Sequence, residues 1–153
     1  MKYFLALVLS IVSINTYSTT CWSEFIDEEF ARAQGLSVVE SVVKRSPIIF
    51  VGTASIVKKT IVEEQGEDPI VLDFQALFEV EESLKGDTSN QVKIESGNIC
   101  PCRYDFKSGI KYLVFATERN GSMYVYNCKY VSPVEASKLA EVRNAVRVNK
   151  AGQ

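Results

Sequence analysis

The side chains here whose types and spacing could do chemistry are four cysteines and one run of carboxylates. Cys100-Pro101-Cys102 is a close pair, and such a pair can bind a soft metal or cycle between dithiol and disulfide. Cys21 and Cys128 stand far from it in the chain. Glu79, Glu81 and Glu82 lie together, with Asp73 six residues upstream of the first. General acid–base catalysis would need two of these to converge on one substrate. On an extended strand Glu79, Glu81 and Asp73 share a face, which is the pattern of a solvated sheet surface. The chain has no histidine, which removes Ser-His-Asp and Cys-His constellations and every His-based metal site. No Gly-x-Ser-x-Gly, P-loop or paired metal ligands appear. The sequence therefore predicts neither an enzyme nor a cofactor. Tyr104, Tyr124 and Tyr126 could form a stacking face, but no basic residues surround them, so packing is the expected role. A net charge of −2 argues against a nucleic-acid partner held through phosphates.

The compartment decides how the cysteines are read. Lys2 followed by the apolar run Phe4 to Ile14 has the form of a signal peptide, and residues 1–20 are assigned to it. The run is short for a bilayer span and polar Asn15 follows it. Thr16 and Ser18 suit cleavage after Ser18; Ser18 and Thr20 would place it after Thr20. Ser18-Thr19-Thr20 before Cys21 lacks the leucine expected ahead of a lipidated cysteine. The expected location is secreted or periplasmic, with no transmembrane segment once the signal is removed. Disulfides are the default there, so structural pairing takes precedence over a metal or redox role for Cys21, Cys100, Cys102 and Cys128. A bond from Cys100 or Cys102 to Cys128 would contribute about 3–4 kcal/mol by restricting the unfolded chain.

The elements that must position these residues follow from periodicity. Phe25 to Arg45 is helical in pattern, with a break at Gly35 and a possible N-cap at Ser37. Val38, Val39, Val42 and Val43 form one apolar face, and Pro47 ends the helix. Strands are expected at 48–62, 70–82, 91–96, 110–117 and 122–128. Gly52 suggests a bulge or sharp bend in the first. In the second, Leu72, Phe74, Ala76, Phe78 and Val80 face a core while Asp73, Gln75, Glu79 and Glu81 face away. Leu84-Lys85-Gly86-Asp87 reads as a turn. Asn120-Gly121 joins the last two strands as a type I′ hairpin turn; with Ser122 it is also a formal glycosylation sequon. Ser132-Pro133-Val134-Glu135 fits a capping box for a last helix reaching about Val148. Residues 21–148 make one domain, 149–153 a frayed tail. Five short strands with flanking helices predict a mainly β fold, a small closed barrel.

An ordered series of motifs then resembles a known family. Phe50-Val51-Gly52 comes first, then Phe78 to Leu84 ending in Lys85-Gly86-Asp87. Cys102-x-Tyr104-x-Phe106 with Gly109 and Tyr112-Leu113-Val114-Phe115-Ala116 follows, then Cys128. From Cys21 to about Val142 the chain looks like a tissue inhibitor of metalloproteinases (TIMP) or netrin-like module of the bacterial secreted type. That resemblance implies a five-stranded OB-fold barrel with flanking helices. It also implies a binding module whose partner is a zinc metalloproteinase or another extracellular protein. In the inhibitors the mature chain begins Cys-x-Cys, and the first cysteine's amino group and carbonyl chelate the protease zinc. Cys21, Trp22 and Ser23 stand at those positions. Ser23 replaces the second cysteine, Trp22 stands where the inhibitors carry a smaller residue, and Cys100 is additional.

Four cysteines allow three connectivities. Pro101 disfavours the very small ring that Cys100–Cys102 would close. By resemblance Cys21 pairs with Cys102, leaving Cys100 for Cys128; the alternative exchanges Cys100 and Cys102. The function expected is a secreted non-enzymatic binding module and a weak metalloproteinase inhibitor at best. The alternative is a structural or envelope-associated OB-fold domain without a protease target.

Overall fold

The computed structural model describes residues 22–62, 70–95, 104–126 and 130–151. The four cysteines and the signal segment lie outside the described residues. Among the described residues, three helices, α1 (Trp22–Gln34), α2 (Val38–Arg45) and α3 (Ala136–Ala151), flank six strands. These are β1 (Ile48–Val62), β2 (Ile70–Lys85), β3 (Gln91–Glu95), β4 (Lys111–Arg119), β5 (Ser122–Val125) and the two-residue β6 (Ser132–Pro133).

The sheet runs β1-β2-β3-β5-β4 and closes through β1–β4, giving a five-stranded barrel with β6 added along β4. β3 and β5 run parallel, and the other pairs are antiparallel. That order and that single parallel contact are the topology of the OB fold, so the predicted class is the one observed.

Closure depends on β1 serving two neighbours. Residues 48–53 pair with β4 on one side while the whole strand pairs with β2 on the other. Bulges let it bend. The register shifts between Val51 and Gly52, and the additional residue is Glu81 of β2. Gly52 is needed because a Cβ there would stand 2.8 Å from the Glu79 carbonyl oxygen. The bulge also reverses the alternation of faces along β2. Phe74, Ala76 and Phe78 point into the barrel, whereas Leu84 packs outside it under the helices.

Two apolar clusters result. Ile48, Phe50, Phe74, Phe78, Ile94, Phe106, Tyr112 and Val114 fill the barrel. Ile49, Val51, Leu113 and Phe115 lie on the outer face of β1 and β4, against Val42 and Val43 of α2 and Val142, Ala145 and Val146 of α3. This is why Ile48–Val51 and Tyr112–Ala116 read as unbroken apolar runs: both faces of these segments are buried.

The valine stripe of α2 does what its spacing predicts. Ser37 caps the helix in a full capping box, its Oγ accepting from the Glu40 N–H at 3.2 Å while Glu40 Oε2 accepts from the Ser37 N–H at 2.8 Å. Ser37→Ala is expected to lower stability by about 1 kcal/mol, measured by urea unfolding; no loss would mean that the cap contributes nothing. Gly35 ends α1, with Leu36 N–H bonded to Ala31 O and Gly35 N–H to Arg32 O. Asn120 and Gly121 take φ of 52° and 77° in the expected hairpin turn.

The second capping box is corrected. Ser132 and Pro133 pair with Leu113 and Tyr112 as β6, and α3 starts only at Ala136. The Val134 N–H bonds Lys111 O, so the sheet claims these residues before a helix can. α3 continues through Ala151, past the expected end near Val148, since nothing between Val148 and Gly152 breaks it. β2 extends to Lys85 and β4 to Arg119, both beyond the expected ends, whereas β5 stops at Val125, short of the expected 128.

Candidate functional site

By the resemblance, the residues expected to bind are those around Cys21, which itself lies outside the described residues. Trp22 and Ser23 form the first turn of α1. Toward its C-terminal end that helix packs against α2. Ala31 is buried, and the Phe30 ring lies 5.4 Å from the Arg45 guanidinium and 5.9 Å from Lys44 Nζ of α2. A segment entering a cleft through Trp22 and Ser23 would have to leave this helical turn.

The motifs that carry the resemblance are explained by the barrel. The Phe50 ring meets Phe78 edge-on at 5.7 Å, and Gly52 admits the Glu79 carbonyl. Lys85 reaches the C-terminal end of α2, where Nζ donates to Val43 O at 2.6 Å and Lys44 O at 3.1 Å. It thereby satisfies carbonyls that a helix end leaves open and places a cation at the negative end of the dipole. Burial pushes the Lys85 ammonium below its usual range. Gly86 follows with φ of 73° against Pro47.

Phe106 closes one end of the barrel. Its ring is within 5.3 Å of Phe74, Phe78, Tyr104 and Tyr112 ring centres. Tyr112 Oη accepts from the Lys107 N–H at 2.9 Å, and the Gly109 N–H donates to Ala54 O at 2.7 Å. Burial raises the Tyr104 phenol, with Tyr112 and Asp105 adding to it. Tyr104 is thus a packing residue, as expected, and Tyr124 and Tyr126 are half-buried at the barrel wall.

The carboxylates do not converge. Glu81 accepts from Lys111 at 2.5 Å and from Thr53 Oγ1 at 2.8 Å. Glu82 takes both Nε and Nη2 of Arg143 of α3, at 3.1 and 2.5 Å. Glu79 is exposed on the sheet. Two of the three acids therefore staple elements together. Among the described residues, no group of three or more His, Cys, Asp or Glu side chains could hold a metal, and no helix is long and apolar enough to cross a membrane.

Among the described residues, three carboxyls sit below their ordinary range. Glu40 is lowered by the Ser37 backbone and side chain, Glu81 by Lys111 and then Thr53, and Glu95 chiefly by Lys93. A carboxyl with a lowered folded pKa contributes stability above its unfolded value and loses it as pH falls through the folded value. The urea midpoint is accordingly expected to drop as pH falls below about 4; a midpoint unchanged between pH 6 and pH 3 would contradict these contacts.

The surface that sequence reasoning missed is an open cleft of about 400 Å³ between the start of β3 and the tip of the β4–β5 hairpin. Asp87, Lys93, Glu95, Glu118 and Met123 are among its lining residues. Lys93 and Glu95 pair at 2.6 Å on one face of β3. Their i, i+2 spacing was the available signal; the approach of Asp87 and Glu118 depends on the parallel β3–β5 contact, which no local pattern encodes. No protein-family model matches the chain, and no curated protein matches it significantly.

Proposed function

We propose that this chain is a secreted or periplasmic, non-enzymatic binding module of the TIMP or netrin-like kind, and at best a weak inhibitor of a zinc metalloproteinase. The observation that supports it is the coincidence of motif and structural role: Phe50, Gly52, Lys85, Gly86, Phe106, Gly109 and Tyr112 are the residues that bend, cap and close an OB barrel. Those motifs support kinship of scaffold, while the inhibitory chemistry rests on Cys21, Trp22 and Ser23. Weakness follows from Ser23, which removes one tether of that segment, and from α1, whose first turn must open. Both add ordering or unfolding terms that binding has to offset.

A structural or envelope-associated role without a protease target is the second reading, favoured by the helical conformation of Trp22 and Ser23. Assaying the purified mature protein against a panel of zinc metalloproteinases and serine proteases separates the two. The first reading expects micromolar or weaker inhibition confined to the zinc enzymes. No inhibition of any zinc enzyme up to the solubility limit would leave the structural role.

A further inference from the structure

We infer that Met123 is an oxidation-sensitive latch of the barrel: a hydroperoxide converts its thioether to the sulfoxide, and the seam between β3 and β5 then loosens. The latch needs nothing from Cys21, Trp22 or Ser23, so it stands or fails separately from metalloproteinase inhibition.

Chemistry, access and leverage meet at this residue. The chain has two methionines, Met1 and Met123. Met1 falls in the segment assigned to the signal, which leaves Met123 as the thioether of the mature chain. It is half-buried and packs against the barrel core. It also lines the open cleft beside the β4–β5 hairpin, so a small oxidant in solvent can reach it. Its backbone lies between two strands, opposite Ile94 of β3 on one side and Glu118 of β4 on the other. Among the described residues β3 and β5 meet only at Ile94 with Met123 and Glu95 with Tyr124. The other closing seam, β1 with β4, pairs all the way from Ile48 to Thr53. A change at Met123 therefore acts where the closed sheet has least to hold it.

In the reaction a sulfur lone pair takes the terminal oxygen of the hydroperoxide. The S–O bond forms as the O–O bond breaks; sulfur is oxidised, and the peroxide is reduced to water, or to an alcohol if it carried an alkyl group. A flexible apolar side chain becomes a polar, chiral one. The new oxygen is a hydrogen-bond acceptor. It must either give up hydration beside buried Ile94 or turn into the cleft and withdraw the side chain from the core. The cleft offers it little: Asp87, Glu95 and Glu118 are carboxylates, and Lys93 is already held by Glu95 at 2.6 Å. Either course weakens the packing that holds β5 against β3. The change is reversible, because sulfoxide reductases return the thioether.

The test treats the full mature chain with hydrogen peroxide and reads peptide mass, urea unfolding and amide hydrogen exchange. An added oxygen on Met123 of the folded protein is expected, with the unfolding equilibrium constant raised about tenfold. Exchange should accelerate more in β3 and β5 than in β1 and β2. Methionine sulfoxide reductase should restore both readings. Met123→Leu, which nearly keeps the volume and removes the sulfur, should be indifferent to peroxide. No oxygen on Met123 while free methionine in the same solution is oxidised, an unchanged unfolding curve after full oxidation, or the same loss in Met123→Leu would overturn the proposal.

Discussion

Phe78→Ala is expected to destabilise the protein by about 3–5 kcal/mol. The side chain is fully buried, and its ring stands edge-on to three others: Phe106 at 5.1 Å, Phe50 at 5.7 Å and Tyr112 at 6.2 Å. Those partners come from β1, β4 and the segment before β4, so the cavity would open where the barrel closes. They cannot collapse into it without breaking β1–β4 pairing, which puts the cost near the top of the range. Leu77→Ala is the matched control. Its neighbour points outward and is only half-buried, so a loss below about 1 kcal/mol is expected. Urea unfolding of the two variants decides which face of β2 is core; a larger loss at Leu77 would reverse the strand.

Gly86→Ala should cost about 2–4 kcal/mol, because two separate penalties meet there. The residue has φ of 73°, where a side chain is strained, and its Cβ would stand 2.7 Å from Pro47 O and 3.1 Å from Ile48 Cγ1. Pro47 and Ile48 join α2 to β1, so the clash pushes on the junction that Lys85 fastens from the other side. Gly121→Ala isolates the first penalty: its φ is 77° but nothing lies within 4 Å. A loss of about 1–2 kcal/mol is expected there. Equal losses at the two glycines would mean that the contact with Pro47 is immaterial.

Much of the fold was legible because local signals agreed with one another. The alternation from Phe74 to Val80, the Asn120-Gly121 turn, the Ser37–Glu40 cap and the stop at Pro47 each have a short-range cause. Gly52 was legible as a bend, although the additional residue turned out to be Glu81 on the neighbouring strand. Ser132-Pro133 failed for the converse reason. A capping box is a local preference worth about 1 kcal/mol, and the edge of β4 offered those residues strand pairing instead. The roles of Lys85 and Arg143 were invisible, since their partners lie 42 and 61 residues away in sequence. The cysteines and the opening residues carry the function implied by resemblance, whereas the described core explains only the scaffold.

The proposed inhibition turns on where the mature chain begins. A zinc chelate of the TIMP kind needs a free amino group on Cys21, because an additional residue converts the amine into an amide, a poor ligand that also adds bulk in a narrow cleft. Cleavage after Ser18 leaves Thr19 and Thr20 in front; cleavage after Thr20 exposes Cys21. The most direct measurement is the inhibition constant against one zinc metalloproteinase catalytic domain for two chains, one beginning at Thr19 and one at Cys21, each with its N-terminus sequenced. Weak, zinc-dependent inhibition by the chain beginning at Cys21 and none by the longer chain is the expected result. Sub-nanomolar, zinc-dependent inhibition by the chain beginning at Thr19 would contradict it.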